Sequence, residues 1–146
     1  MISGRRKMCA LFSQTKPVYS YRFDTMLYGV SPMLGVHHFD NVAFSFQNIS
    51  GLLGPSPLFD KDKELATAIG RAYVGFVYSL DPNGVAGGGG NGTGGGLELP
   101  YWPRWEVGEP RNMVLNATLP FVEADTFREE GIAFLNSGEV ARELLA

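Results

Sequence analysis

Gly35-Val36-His37-His38-Phe39-Asp40-Asn41-Val42-Ala43-Phe44 holds the only two histidines of the chain, side by side. A turn-forming run, Tyr28-Gly29-Val30-Ser31-Pro32, precedes the pair and an apolar stretch follows it, so both histidines are expected on a loop. Loops held by a rigid scaffold are common homes for catalytic groups. The intrinsic pKa of an imidazole suits it to take a proton and return it within one reaction cycle.

Regular elements are expected on either side of this loop. Pro17-Val18-Tyr19-Ser20-Tyr21-Arg22-Phe23 alternates, with Tyr19, Tyr21 and Phe23 on one side and Ser20 and Arg22 on the other, and predicts a strand. Asp60-Lys61-Asp62-Lys63-Glu64 places acidic groups where a helix begins. Leu65, Ile69, Ala72, Tyr73, Phe76 and Leu80 then recur at helical spacing until Pro82 and Gly84 stop the pattern. Arg111 to Asn116 predicts a short strand. Thr126-Phe127-Arg128-Glu129 has the form of a capping box opening a helix that contains Ile132, Phe134 and Leu135. Glu139 to Leu145 predicts a last helical turn or two.

At the other end, Ser3 to Thr15 predicts an amphipathic helix with Met8, Leu11 and Phe12 on its apolar face. Met1 to Lys7 has the basic start of a signal peptide. The apolar run behind it, Met8 to Phe12, is shorter than the roughly 7–15 residues such a peptide uses, so none is expected. Cys9 has no second cysteine to pair with and is expected as a small buried apolar residue.

Between the helix at 60–80 and the second strand, nine of the thirteen residues 84–96 are glycine. A phosphate-cradling loop needs fixed glycine spacing and a following helix, which this run lacks, so it is expected as a flexible insertion. Tyr101-Trp102-Pro103-Arg104-Trp105 is expected as a packed aromatic turn rather than a ligand wall.

Composition closes off other functions. With 45% apolar and 18% charged residues and a net charge of −3, the 146-residue chain is globular by composition and has no broad positive field for nucleic acid. The longest apolar runs fall far short of the roughly 20 residues of a membrane-spanning helix. Three Asn-x-Ser/Thr triplets, at Asn48, Asn91 and Asn116, hint at a secreted glycoprotein. Two strands by themselves cannot make a sheet with covered faces and protected edges, so the order strand, histidine loop, helix, strand, helix reads as part of an α/β protein, incomplete as a sheet.

Pro17 to Asp24, the Gly-Val-His-His loop, the helix near 62–80, and the stretch from Trp102-Pro103 through Asn112-Met113-Val114 to Glu130-Gly131-Ile132-Ala133-Phe134 together resemble the C-terminal part of the type-B carboxylesterase, cholinesterase and fungal lipase family. The most specific element is Gly-x-x-His, which in that family carries the catalytic histidine. Matching Gly35 puts that histidine at His38 and leaves His37 at the preceding variable position. Phe39 stands where the family has glycine and Asn41 where it has an acid, while Phe44 and Phe46 keep the aromatic run.

The resemblance implies an α/β-hydrolase fold, an ester substrate, and a histidine that relays the proton of a serine nucleophile without any cofactor or metal. It also implies an order of Ser, Asp or Glu, then His along the chain, with the serine on a Gly-x-Ser-x-Gly elbow. No such elbow occurs here. Ser31 and Ser45 lie near the histidines but not on one, Asp24 and Asp40 could orient an imidazole, and the family's own acid would lie upstream of residue 1. The whole chain, 1–146, is thus expected to be a C-terminal fragment that carries His38 and is inactive alone. Two alternatives stand beside it: a non-enzymatic interaction module derived from the same fold, and an unrelated protein in which His37 and His38 bind a metal with further ligands.

Overall fold

A computed structural model of the chain describes residues 2–48, 50, 59–84 and 96–138. Four helices, α1 (Ile2–Phe12), α2 (Asp40–Ser45), α3 (Asp60–Ser79) and α4 (Glu129–Leu135), accompany three strands, β1 (Tyr21–Phe23), β2 (Arg111–Leu115) and β3 (Phe121–Ala124). The strands form one small mixed sheet in the order β1-β2-β3. This is a small α/β arrangement, the class expected from the sequence. Most of the glycine-rich insertion, residues 85–95, and the terminal helical turns expected from Glu139 onward lie outside the described residues.

The chain divides into two units, each with its own interior. One comprises Tyr21–Trp102 and Met113–Val122. Here β1 pairs parallel with β2, in the register Tyr21 to Met113, Arg22 to Val114 and Phe23 to Leu115. Met113, Val114 and Leu115 are fully buried, and so are Phe44, Leu65 and Ile69. The near-continuous apolar run of β2 has the composition of a strand covered on both faces.

Helix α3 begins as its acidic start predicts, with the Asp62 carboxylate reaching back to the Phe59 N–H at 3.4 Å. Leu65, Ile69 and Ala72 form its buried face, as the spacing implies, but Phe76 and Leu80 at its far end are exposed. Leu80 closes the helix in the left-handed region, φ 57°. Just beyond, the Asn83 side chain clasps Trp102: its Nδ2 donates to the Trp102 carbonyl at 2.8 Å and its Oδ1 accepts from the Trp102 N–H at 2.7 Å. The two ends of the glycine-rich segment are thereby held together. Trp102 is buried and meets Tyr21 edge-on at 6.0 Å, as the packed reading of the aromatic run expects, whereas Tyr101 at its start is exposed.

The other unit comprises Met1–Ser20, Pro103–Asn112 and Glu123–Ala146. Its centre is Asp125, whose side chain is 1% exposed. Both terminal nitrogens of Arg5 donate to it at 2.7 Å, Arg6 Nε donates at 2.9 Å and the Trp105 indole at 2.9 Å. Burial alone would raise this carboxyl. Hydrogen bonds from Arg5, Trp105 and Arg6 and the charge of Arg5 win, and hold it at about 2. Ser20 and Asn112 extend the network, with the Ser20 hydroxyl donating to Asn112 Oδ1 at 2.7 Å. Ser20 is therefore buried, against the alternation that put it on a polar side.

The same network overturns the expected face of α1. Met8, Leu11 and Phe12 are exposed, while Arg6 and Cys9 are buried. A buried carboxylate needs compensating charge, and α1 supplies it by turning its arginines inward. Cys9 is buried as expected, and burial pushes its thiol pKa up.

Two further differences concern the C-terminal half. Strand β3 carries no clear pattern in the sequence, since four residues holding a glutamate give little signal. The Thr126 capping box does not form: α4 starts at Glu129 after Arg128 in the left-handed region, φ 54°, without a side-chain cap. Thr126 instead accepts from the Glu129 N–H through its backbone carbonyl at 3.1 Å. Of the apolar residues expected on α4, Ile132 is buried and Phe134 and Leu135 are exposed.

Candidate functional site

The histidine loop is suspended between β1 and α2 and lies wholly within one unit. On leaving β1 the chain stays tied to β2. The Asp24 N–H donates to the Leu115 carbonyl at 3.0 Å, and the Thr25 hydroxyl donates to the same carbonyl at 3.3 Å while accepting from the Ala117 N–H at 3.0 Å. Consecutive turns follow, with Leu34 N–H to the Ser31 carbonyl at 3.0 Å and Gly35 N–H to the Pro32 carbonyl at 3.3 Å. Gly35 lies at φ +66°, a conformation that a side chain disfavours, which is why the Gly-x-x-His run opens on glycine.

His37 and His38 then divide. Asp40, 8% exposed at the start of α2, accepts from the His37 N–H at 2.7 Å and stands 3.6 Å from His37 Nδ1. Its carboxylate is thus spent on closing the turn and faces His37. His38 is exposed, with its ring edge toward Phe39 at 6.3 Å between centroids. Among the described residues no carboxylate pairs with the His38 ring. Of the two candidate orienting acids, Asp40 belongs to His37, and Asp24 pairs with Arg22 at 3.2 Å.

Phe39 lies at φ 87°, in the left-handed region. The family resemblance predicts glycine here, and the backbone takes the conformation glycine favours although the residue is phenylalanine. Asn41, at the position of the family's acid, donates from Nδ2 to the Tyr21 hydroxyl at 3.3 Å, tying the first turn of α2 to β1. Tyr73 of α3 joins this polar seam through Tyr21 and Ser45, and burial, then Tyr21, raises its pKa.

The aromatic residues after the loop also separate. Phe44 is core, stacked edge-on against Phe23 at 4.9 Å. Phe39 and Phe46, 68% and 79% exposed, instead line a cavity of about 450 Å³ with Leu27, His38, Asp40, Val42, Ala43 and Asn48. An apolar cavity with a few polar groups at its edge is the common form of a small-molecule site. Among the described residues no three His, Cys, Asp or Glu side chains converge as metal ligands, and no helix is long and apolar enough to cross a membrane. Of the three sequons, Asn48 is buried and Asn91 lies outside the described residues. The Asn116 amide donates to the Asp24 carbonyl at 3.0 Å and accepts from Thr118 and Leu119 N–H.

Solved esterase structures share this fold, which is part of an α/β-hydrolase fold. A PNB esterase aligns with a TM-score of 0.62 at 23% identity, covering 83% of this chain and 22% of that one. A thermophilic PNB esterase aligns at 0.63 and 22%, covering 84% and 23%. The Geobacillus stearothermophilus carboxylesterase EST55, solved at pH 6.2, aligns at 0.57 and 26%, covering 82% and 22%. The chain therefore spans less than a quarter of the length of these esterases. No family model and no curated relative matches the sequence.

Proposed function

We propose that residues 1–146 are the histidine-bearing C-terminal portion of a type-B carboxylesterase or lipase-like serine hydrolase, with the glycine-rich stretch 84–96 as an insertion. In this reading His38 is the general acid/base. The observation that carries it is the position of His38 at an apolar cavity, on a loop tied to β1 at one end and α2 at the other, in a fold that esterases share. In the intact protein the imidazole takes the proton of the attacking serine and returns it to the leaving alcohol, while a carboxylate holds its other nitrogen. The sequence has no Gly-x-Ser-x-Gly elbow, so serine, acid and oxyanion donors are assigned to other parts of the intact protein. The chain alone is accordingly inactive toward esters. The same reading takes the intact protein to be secreted, which the sequons alone support.

The test has two arms. In the intact protein, His38→Ala abolishes p-nitrophenyl ester turnover, a loss of roughly 10⁴-fold or more, whereas His37→Ala loses far less. Equal losses would mean the role is assigned to the wrong histidine. On the chain alone, a fluorophosphonate probe leaves every serine unlabelled; stoichiometric labelling would overturn the assignment of the nucleophile.

A further inference from the structure

We infer that Asn41, Tyr21 and Tyr73 are positioning residues for His38: a polar latch across three elements fixes the first turn of α2 and, through it, the loop that carries the imidazole. The reaction that His38 serves is taken from the hydrolase reading above; the latch is not.

His38 stands two residues ahead of α2, so it takes its place from whatever holds that helix. With six residues and no side-chain cap, α2 cannot hold itself, since helices this short are unstable without tertiary contacts. Its entry is also costly, because Phe39 lies at φ 87°, a backbone that a side-chain-bearing residue disfavours. At the far end of α2, buried Phe44 stacks edge-on against Phe23. At the near end the Asp40 carboxylate accepts from the His37 N–H, which ties the helix to the loop and not to the sheet. The tie from the first turn to the sheet is Asn41, whose Nδ2 donates to the Tyr21 hydroxyl at 3.3 Å.

Tyr21 is a fixed post. Its backbone is in register with Met113 of β2, and its ring meets Trp102 edge-on at 6.0 Å and Tyr73 at 6.2 Å with a tilt of 49°. Tyr73 brings α3 into the same cluster, and burial, then Tyr21, raises its pKa, so its phenol keeps its proton. An amide and two neutral phenols, all half-buried, therefore meet where β1, α2 and α3 converge. Without the Asn41 tie the first turn of α2 loosens, and the imidazole loses its aim. A misplacement of about 1 Å can cost a reaction about 100-fold. The loss falls on kcat and not on KM, because the aim of the proton carrier matters in the transition state and not in ground-state binding.

Two measurements test the latch. In the chain alone, Tyr21→Phe keeps the ring against Trp102 and Tyr73 and removes only the hydroxyl, so the variant should fold. Hydrogen exchange of the Val42 and Phe46 amides, which donate to the Phe39 and Val42 carbonyls at 3.0 Å, should quicken about fivefold, the effect of one lost hydrogen bond, while the Leu65 and Ile69 amides of α3 keep their protection. Asn41→Ala should do the same, and the double variant should exceed neither single one by more than about twofold. In the intact protein, each single variant should lower kcat for a p-nitrophenyl ester about tenfold and leave KM within about twofold. Unchanged exchange in α2, additive effects in the double variant, or a rise in KM at constant kcat would each overturn the latch. Quickened exchange together with full turnover in His38→Ala would instead remove the hydrolase reading, and with it the positioning role, while the contact from Asn41 to Tyr21 stood as an anchor of α2.

Discussion

The side-chain amide of Gln47 occupies the space beside Gly70 that a β-carbon would need; one built there stands 2.0 Å from Gln47 Nε2. Gln47 follows α2 in the left-handed region, φ 50°, and its side chain lies against the middle of α3. Gly70 is thus the receptor on α3 for the segment that leaves the histidine loop. Glycine inside a helix costs about 1 kcal/mol relative to alanine, and here the cost secures a close contact.

A double-mutant cycle measures that contact. Gly70→Ala displaces the end of a flexible side chain while improving helix propensity, so its net effect in denaturant unfolding should lie within about 1 kcal/mol of zero. In a Gln47→Ala background the same substitution should stabilise by about 1 kcal/mol. Identical effects in the two backgrounds would show that Gln47 and Gly70 are not coupled.

Phe39 holds a left-handed backbone that costs a side-chain-bearing residue roughly 1–2 kcal/mol. Phe39→Gly should therefore stabilise the chain, by about 0.5–1 kcal/mol once the greater freedom of glycine in the unfolded state is subtracted. A drop in melting temperature would mean that the exposed ring contributes more packing than its exposure suggests.

The Asp125 carboxyl gives the stability of the chain a defined pH dependence. Its folded pKa of about 2 lies below the roughly 3.9 of an unfolded aspartate. A depressed carboxyl stabilises the fold above the unfolded pKa and loses that contribution as pH falls through the folded one, so the window runs from about pH 4 down to about pH 2. The contribution at neutral pH is about 2–3 kcal/mol. Asp125→Asn, which leaves Arg5 and Arg6 without their counter-charge, should cost about 3–5 kcal/mol at pH 7. The gap between wild type and variant in urea unfolding should narrow from pH 4 to pH 2, and a gap independent of pH would refute the linkage.

The clasp between Asn83 and Trp102 makes the glycine-rich segment dispensable. Replacing residues 85–95 by a short Gly-Ser linker should leave the melting temperature within a few degrees, because loop-closure entropy changes only slowly with length. Asn83→Ala removes two hydrogen bonds to a buried tryptophan's backbone and should cost about 1–3 kcal/mol. If the shortened loop unfolded the protein and Asn83→Ala did not, the order of importance would be reversed.

Local pattern was enough for much of this protein. The periodicity from Leu65 to Ala72 determined α3 and its buried face, the alternation around Tyr21 and the apolar run at Met113 determined two strands, and Gly-x-x-His determined where the histidine loop stands. Each of these signals is carried by residues within a few positions of one another. Partners distant in sequence decided the rest. Asp125, about 120 residues from Arg5 and Arg6, turned α1 so that its arginines, not its methionine and leucine, face inward, since neutralising a buried carboxylate outweighs covering a few apolar side chains. Likewise, packing of α2 against the core separated Phe44 from Phe39 and Phe46, three residues alike in sequence, making one an anchor and the other two the wall of a cavity beside His38.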